Sequence, residues 1–335
     1  MQRPTPELPT SPLPISVLTG FLGSGKTTLL SRMLASPGLS DTAVIVNEFG
    51  AVGLDHLLLE VADQEVVALP NGCVCCAVRQ DLADTLYRLL RRRASGELPP
   101  FQRLVLETSG LAEPSPILYT LSADAFLEQA LQVHAVVATI DTVAGAATLD
   151  RFPEATAQAA CADRLLLTKT DLAVPSPLLR QRLEALNPAA SIDDATAVAP
   201  AAALFGGQTT AARPRFVATA VHAHGIRAVV LVLRRPMSRL DFSLALGGLA
   251  RERGEDLLRV KGIVAFADRD AGPAAIHAVQ HTLYPPRWFS AWPDSDRRSR
   301  MVFIVRDIDS EILLERFAAG DPVLVETGDI TSGGR

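Results

Sequence analysis

Three cysteines lie close together in this chain, between two segments that are typical of a phosphate-binding site. Cys73, Cys75 and Cys76 fall within four consecutive positions. Upstream, residues 20–27 fit the pattern G-x-x-x-x-G-K-[ST], and downstream an apolar run ends in Glu-Thr-Ser-Gly at residues 107–110. Thiolates bind soft metal ions, whereas the contacts of a phosphate-binding loop depend on the γ-phosphate of its nucleotide. This placement indicates a protein that couples metal binding to nucleotide hydrolysis.

The upstream segment has the composition of a P-loop. Its glycines would let successive backbone N–H groups point at the phosphates. Lys26 would reach the β- and γ-phosphates, and the Thr27 hydroxyl would bind Mg²⁺. A strand is predicted before the loop and a helix after it, which separates this match from a chance match in a turn. The residues predicted to bind nucleotide here are Gly20, Gly23, Ser24, Gly25, Lys26, Thr27 and Thr28.

Residues 168–171, Thr-Lys-Thr-Asp, resemble the [NT]-K-x-D motif that reads guanine. The Asp171 carboxylate would accept two N–H donors on the guanine edge, and adenine has no such donor pair. The stem of Lys169 would cover the face of the base and brace the P-loop, and the Thr168 hydroxyl can also brace the loop. The alternative is a solvated turn with Asp171 near the start of a helix.

Glu107 and Gly110 stand where a D-x-x-G motif is expected. A carboxylate at the end of a strand can position Mg²⁺ or its waters, and the Gly110 N–H can donate to the γ-phosphate. Glu is one methylene longer than Asp, so Glu107 could act through water. The alternative for this segment is a helix-capping turn.

The cysteine cluster is predicted to bind a transition metal. Side chains alternate along an extended chain, so a turn after residues 71–72 (Asn-Gly) is needed for Cys73, Cys75 and Cys76 to converge. A fourth ligand must come from elsewhere, and Glu48 is the candidate, with His56 behind it. The alternative is a buried, inert thiol cluster or a redox pair.

Composition excludes several classes of function. The chain has 335 residues, 48% of them apolar, and a formal net charge of −5, so it can bury the cores of two domains and has no dominant basic surface for nucleic acid. It contains no apolar run of membrane-spanning length, and no membrane association is expected. With three of its four cysteines crowded together it lacks a disulfide framework, which fits a cytoplasmic location. Nothing in the sequence indicates an oligomeric state.

The hydrophobic pattern predicts an α/β domain followed by a smaller α+β domain. Continuous apolar strands separated by helices indicate a buried parallel sheet with helices on both faces. The strands predicted for the first domain are residues 15–18, 43–46, 66–69, 104–106, 135–138 and 164–167. Residues 189–208 form the predicted linker, and the predicted domains are residues 1–205 and 206–335. The second domain is predicted to contain strands 228–233, 257–267, 276–283 and 301–305 and helices 238–253 and 310–318.

These motifs occur in the order found in the CobW-type GTPases, which the chain resembles over nearly its whole length. Residues 47–50 (Asn-Glu-Phe-Gly), 71–76 (Asn-Gly-Cys-Val-Cys-Cys) and 257–262 (Leu-Leu-Arg-Val-Lys-Gly) also carry the resemblance. The resemblance implies a P-loop NTPase fold, a GTPase with a slow intrinsic rate, and a metallochaperone that delivers metal to a client protein. It implies GTP, Mg²⁺ and Zn²⁺ or Co²⁺ as cofactors. It also implies that Cys73, Cys75, Cys76 and Glu48 lie near the metal, with Glu48 in the first switch segment.

Three functional hypotheses follow. The first is a GTP-hydrolysing metallochaperone for Zn²⁺ or Co²⁺, and the second is a regulatory or client-remodelling GTPase in which zinc is structural. The third, a small-molecule kinase, is disfavoured by Asp171. No catalytic base can be named, and the client and the cognate metal cannot be read from the residues. Thr168 departs from the usual Asn of the family, which predicts weaker GTP binding.

Overall fold

The structure, a computed structural model, describes residues 8–34, 41–46, 67–68, 77–198, 204–205 and 224–325. The chain divides into two compact units. The first draws on Met1–Thr148, Ala162–Pro175 and Ile192–Gln208. The second draws on Leu149–Cys161, Ser176–Ser191 and Thr209–Arg335. The chain therefore passes between the units several times. No helix in the described part of the chain is long and apolar enough to cross a membrane.

The first unit is built on a seven-stranded sheet in the order β3-β2-β4-β1-β5-β6-β7. Its strands are β1 (Leu13–Gly20), β2 (Thr42–Val46), β3 (Val67–Ala68), β4 (Arg103–Glu107), β5 (Leu131–Asp141), β6 (Arg164–Thr168) and β7 (Ser191–Asp194). The pairs β2–β3, β2–β4, β4–β1, β1–β5 and β5–β6 are all parallel. The buried parallel sheet that the apolar runs predict is confirmed, because five of the six predicted strands fall within β1, β2, β4, β5 and β6, and the sixth, residues 66–69, overlaps β3.

Seven helices are described up to residue 198. They are α1 (Lys26–Leu34), α2 (Ala77–Ala94), α3 (Ser115–Ala123), α4 (Ala125–Ala130), α5 (Gly145–Arg151), α6 (Pro153–Cys161) and α7 (Pro177–Leu186). Leu29 and Leu30 of α1 pack in one buried cluster with Leu18, Val105 and Val137, which come from three neighbouring strands. Helices α3 and α4 contact β5. The first turn of α4 is capped by Asp124, whose carboxylate accepts the N–H groups of two residues in that turn.

The second unit contains an antiparallel sheet in the order β11-β10-β9-β13-β8-β14, with β12 paired to β10. Its strands are β8 (Ile226–Leu233), β9 (Arg259–Val264), β10 (Ala274–Val279), β11 (Thr282–Leu283), β12 (Arg287–Trp288), β13 (Ser299–Arg306) and β14 (Pro322–Leu324). Its later helices are α8 (Arg239–Arg253) and α9 (Ser310–Arg316). Phe317 lies in the core, with its ring centroid 5.7 Å from that of Phe242 and 5.5 Å from that of Phe303.

Helices α6 and α7 belong to this second unit. Helix α7 contacts β8, and the fully buried guanidinium of Arg259 on β9 donates to the carbonyl oxygen of Cys161 at the end of α6. A buried cation needs such an acceptor because its desolvation is otherwise uncompensated. Two helices on either side of β6 in the sequence therefore pack with the C-terminal strands.

Two sequence-based expectations are wrong in detail. The single strand predicted over residues 276–283 is a hairpin, in which β10 ends at Val279, Gln280 adopts φ +49°, and β11 pairs back with Ala278 opposite Leu283. The predicted linker over residues 189–208 contains β7 at its start. Ser-Ile-Asp-Asp carries little apolar signal because this strand lies at the edge of the sheet and is only partly buried.

Candidate functional site

The phosphate-binding loop lies between the end of β1 and the start of α1, as predicted. Gly20, Gly23 and Gly25 have φ angles of +141°, +70° and +91°. Residues other than glycine rarely adopt these backbone conformations. A Cβ atom on Gly20 would lie 2.3 Å from Oγ1 of Thr139 on β5. The Ser24 hydroxyl is 2.6 Å from the same Thr139 oxygen. The glycines therefore allow the loop to curl and to lie directly on the neighbouring strand.

The ammonium of Lys26 is held inside the curl of this loop. Its Nζ donates to the carbonyl oxygens of Gly20 at 2.8 Å and Phe21 at 3.2 Å, and only 8% of the residue is exposed. A buried ammonium is stabilised by such acceptors and would be stabilised more by the full charge of a phosphate oxygen. Lys26 is therefore placed to exchange carbonyl contacts for phosphate contacts.

Thr27 and Glu107 form the pair of oxygens expected of a Mg²⁺ site. The Thr27 hydroxyl donates to Oε1 of Glu107 at 2.8 Å, and Glu107 is buried at the end of β4, opposite Leu18 in the ladder to β1. A hydroxyl and a carboxylate are hard oxygen ligands, which Mg²⁺ prefers. The donor set fits this ion, so the predicted roles of both residues are chemically consistent with the structure.

Gly110 lies against the backbone of the phosphate-binding loop. A Cβ atom on Gly110 would lie 2.8 Å from the backbone N of Leu22 and 2.9 Å from its Cα. The turn after β4 thus depends on glycine for a close approach to the loop. Gly110 therefore lies beside the phosphate-binding loop, and its contact with the γ-phosphate stays a prediction.

The segment predicted to read the base follows β6 and is tied to the phosphate-binding loop. Oγ1 of Thr168 donates to the carbonyl oxygen of Ser24 at 2.7 Å, and its side chain lies 3.4 Å from the position of a Cβ on Gly25. Lys169 has φ +57°, and Asp171 is exposed to solvent. The bracing role predicted for Thr168 is thus present as a hydroxyl contact, without the amide of the usual Asn.

Three residues at the end of β5 and directly after it were missed by the sequence analysis. Asp141 ends β5, and its Oδ2 accepts a hydrogen bond from Nζ of Lys169 at 2.7 Å. Thr142 donates through Oγ1 to the carbonyl oxygens of Thr168 at 2.9 Å and Lys169 at 3.0 Å. Thr139, which lies two residues before Asp141 on β5, contacts the Ser24 hydroxyl as described above. The available signal was a run of hydroxyl and carboxyl residues at the end of an apolar strand.

The Asp141 carboxyl is ionised in this arrangement. Burial would raise its pKa, but hydrogen bonds from the Lys169 ammonium and from the backbone N–H groups of Val143 and Ala144 hold the pKa below its usual value. Asp141 and Lys169 therefore form an ion pair, with 14% and 36% of their side chains exposed.

The residues predicted to bind the transition metal, Cys73, Cys75, Cys76 and Glu48, lie outside the described residues, as does His56. The strands that precede them are described. Val46 at the end of β2 pairs with Glu107 on one side and with Ala68 at the end of β3 on the other. Within the described ranges, no three His, Cys, Asp or Glu side chains are grouped so that they could hold a metal ion.

Comparison with known proteins matches both parts of the chain. Residues 14–193 match the family "CobW/HypB/UreG, nucleotide-binding domain", and residues 226–320 match "Cobalamin synthesis protein cobW C-terminal domain". The zinc chaperone YjiA of Escherichia coli is 33% identical over 316 residues, which is 92% of this chain and 98% of that protein. The zinc-regulated GTPase metalloprotein activator 1 of Schizosaccharomyces pombe is 35% identical over 55% of this chain and 46% of its own.

Solved structures agree with these matches. The crystal structure of Zn(II)-bound YjiA GTPase from E. coli has a TM-score of 0.70 and 26% identity, and it covers 93% of this chain and 99% of its own. A Zn(II)-bound triple mutant of YjiA has a TM-score of 0.74 and 29% identity with the same coverage. The predicted fold, a P-loop NTPase sheet followed by a smaller C-terminal domain, is confirmed. The chain belongs to the CobW family, with the nucleotide-binding domain shared by CobW, HypB and UreG followed by the CobW C-terminal domain.

Proposed function

We propose that this protein is a GTP-hydrolysing zinc chaperone, which binds zinc in one nucleotide state and delivers it to a client metalloprotein in the other. GTP and Mg²⁺ would bind at the P-loop, and zinc would bind at Cys73, Cys75 and Cys76 with Glu48. Relatives named as a zinc chaperone and as a zinc-regulated GTPase metalloprotein activator support zinc rather than cobalt as the cargo.

One observation carries the coupling between the two sites. Glu107, which bonds the Thr27 hydroxyl, pairs across the sheet with Val46, and Val46 pairs with Ala68. In parallel strands all the carboxyl ends lie at one edge of the sheet. Residues 47–50 follow Val46 in the chain, and residues 71–76 follow Ala68 after two positions. Both candidate metal segments therefore follow strands whose carboxyl ends lie on the same side of the sheet as the carboxyl end of β4, where Glu107 bonds Thr27.

The nucleotide part of the function assigns a role to each group at that edge. Lys26 and the N–H groups of the phosphate-binding loop would hold the β- and γ-phosphates, and Thr27 with Glu107 would hold Mg²⁺. Bound Mg²⁺ would neutralise charge on the phosphates. Asp171 would select guanine by accepting its two N–H donors. These groups bind and orient GTP, which is the larger part of catalysis for phosphoryl transfer.

The coupling itself follows from switch behaviour. Segments that contact the γ-phosphate and its metal are held while GTP is bound and are released after hydrolysis. If Glu48 lies in such a segment, its distance from the three thiols changes with nucleotide state, and the affinity for zinc changes with it. By thermodynamic linkage, zinc then changes the affinity for nucleotide by the same factor.

The second candidate is a regulatory or client-remodelling GTPase with a purely structural zinc site. A structural site would keep zinc in every nucleotide state, and its chelation would unfold the protein. The two candidates are therefore separated by following zinc through one cycle of hydrolysis.

A single-turnover experiment makes this separation. Zinc-loaded protein is mixed with GTP in the presence of a chromogenic zinc chelator, and phosphate and chelated zinc are followed together. We expect zinc release with the time course of hydrolysis and none with a non-hydrolysable GTP analogue. The variant Lys26→Ala should neither hydrolyse GTP nor release zinc, and Cys161→Ser, which changes a cysteine of the second unit, should behave as wild type. Zinc retained after complete hydrolysis would contradict the proposal.

A further inference from the structure

The turn from Asp141 to Ala144, here called the Asp141 turn, is built to hold the segment that follows β6. The Thr142 hydroxyl shares its proton between the carbonyl oxygens of Thr168 and Lys169, and the backbone N–H of Thr142 donates to the Thr168 carbonyl as well. Asp141 then pairs with the Lys169 side chain at 2.7 Å. The contacts join residues about 26 positions apart, so the register between β5 and β6 creates them.

The orientation of the Asp141 carboxylate is fixed by backbone N–H groups of the same turn. Oδ1 of Asp141 accepts the N–H of Val143 at 2.7 Å and of Ala144 at 3.3 Å, while Oδ2 faces Lys169. One oxygen therefore fixes the direction of the carboxylate and the other receives the ammonium. Because only 14% of the Asp141 side chain is exposed, water competes weakly for its carboxylate, whereas the Lys169 side chain is 36% exposed.

We propose that Asp141 is a positioning residue for nucleotide binding, which acts by holding the Lys169 side chain across the nucleobase site. This inference rests on the guanine site proposed above. It assigns to Asp141 a role in affinity for the base, and it leaves the choice between guanine and adenine to Asp171.

The physical reason is the flexibility of lysine. A free lysine side chain has many rotamers, and this conformational entropy is lost when its stem is fixed against a base. With Nζ already bound to Asp141 and the backbone of Lys169 already at φ +57°, much of that loss occurs when the protein folds. The Lys169 side chain is then already ordered when nucleotide binds, so less conformational entropy is lost on binding and the affinity for nucleotide is higher.

This role has a distinctive consequence for nucleotide affinity. Lys169 covers the face of the base and does not touch its edge, so loss of Asp141 should weaken GDP and a GTP analogue by the same factor. The preference for GDP over ADP should stay close to the wild-type value. Loss of Asp171 should have the opposite pattern, because it removes the acceptor that distinguishes the two bases.

The test is a double-mutant cycle on GDP affinity, measured with a fluorescent GDP analogue and competing unlabelled nucleotides. The variants are Asp141→Asn, Lys169→Ala and the double variant, with thermal unfolding to show that each is folded. The control is Asp268→Asn, since Asp268 also pairs with an arginine side chain at 3.0 Å and accepts that residue's backbone N–H, but lies in the second unit. The conservative variant Asp141→Glu tests for rescue.

We expect Asp141→Asn to raise the Kd for GDP by about five- to tenfold, and the double variant to match Lys169→Ala within about twofold, because the two residues act as a unit. Asp141→Glu should recover part of the affinity, and Asp268→Asn should bind as wild type. Additive effects in the cycle, or unchanged affinity in Asp141→Asn, would overturn the inference. Failure of the wild-type protein to bind GDP would instead overturn the proposed function.

Discussion

At the scale of single residues, the nucleotide site depends on close approaches that only glycine allows. Gly20 lies against Thr139, and Gly110 lies against the backbone of Leu22. The two contacts connect the phosphate-binding loop with β5 and with the turn after β4. Movement of the Leu22 side chain would not relieve the second contact, because the backbone N and Cα atoms of Leu22 would also lie within 3 Å of the added Cβ.

Replacing Gly110 by alanine should therefore distort the phosphate-binding loop. The new Cβ would lie less than 3 Å from two backbone atoms of Leu22, so the loop or the turn must shift. We expect Gly110→Ala to weaken GDP binding by about tenfold or more, equivalent to about 1.4 kcal/mol. The measurement is a GDP titration. Gly247→Ala is the control, because its Cβ would meet only a Leu283 methyl at 3.7 Å. Wild-type affinity in Gly110→Ala would show that the approach is not required.

How far the site could be predicted also depends on individual residues. The positions of Lys26, Thr27 and Thr168 relative to the ends of β1 and β6 could be predicted because a local sequence motif fixes each of them, while their roles at a bound nucleotide stay predictions. Asp141 was missed because its partner is 28 positions away and the pair exists only through the register of β5 with β6. A short sequence motif cannot predict a contact between residues on two different strands.

At the scale of elements, the strength of the apolar signal decided which predictions succeeded. The long apolar runs of β1, β5 and β13 predicted buried strands because both of their faces are covered. The hairpin of β10 and β11 was read as one strand because its turn, Gln-His, lacks the glycine or asparagine that usually marks such a turn. The edge strand β7 was missed because its sequence, Ser-Ile-Asp-Asp, contains a single apolar residue, as suits a strand that is only partly buried.

The core of the second unit offers a test of its packing. Phe317 is fully buried against Phe242 and Phe303, and its removal would leave a cavity between α8 and β13. We expect Phe317→Ala to lower the free energy of unfolding of this unit by about 3–5 kcal/mol, measured by denaturant titration. Leu240→Ala on α8, where 67% of the side chain is exposed, should change it by less than about 0.5 kcal/mol. Equal effects of the two variants would contradict this account of the core.

At the scale of the whole molecule, the chain is more interwoven than its hydrophobic pattern suggests. Helices α6 and α7 flank β6 in the sequence, yet they pack with the C-terminal sheet. The spacing of apolar residues in α6 and α7 is the same kind as in the helices that cover the parallel sheet. An apolar helix face does not specify which sheet it packs against, so the sequence could not assign these two helices to the second unit. The division at residues 205 and 206 stays a prediction from composition, and the family matches at 14–193 and 226–320 lie on either side of it.

The central claim for the whole molecule is that zinc and nucleotide binding are coupled. Strands β2, β3 and β4 end at one edge of the sheet, and the chain enters both candidate metal segments from there. Coupling between two sites on one protein is a free energy, and its size is what separates a carrier from a protein that merely contains zinc.

The most direct measurement is the zinc affinity in the two nucleotide states. Zinc is titrated against a competing chelator, first with protein bound to a non-hydrolysable GTP analogue and then with protein bound to GDP. We predict that the two affinities differ by about tenfold or more, or about 1.4 kcal/mol of coupling, and that Cys75→Ser abolishes the difference while Cys161→Ser preserves it. Equal zinc affinities in the two states of the wild-type protein would contradict the account.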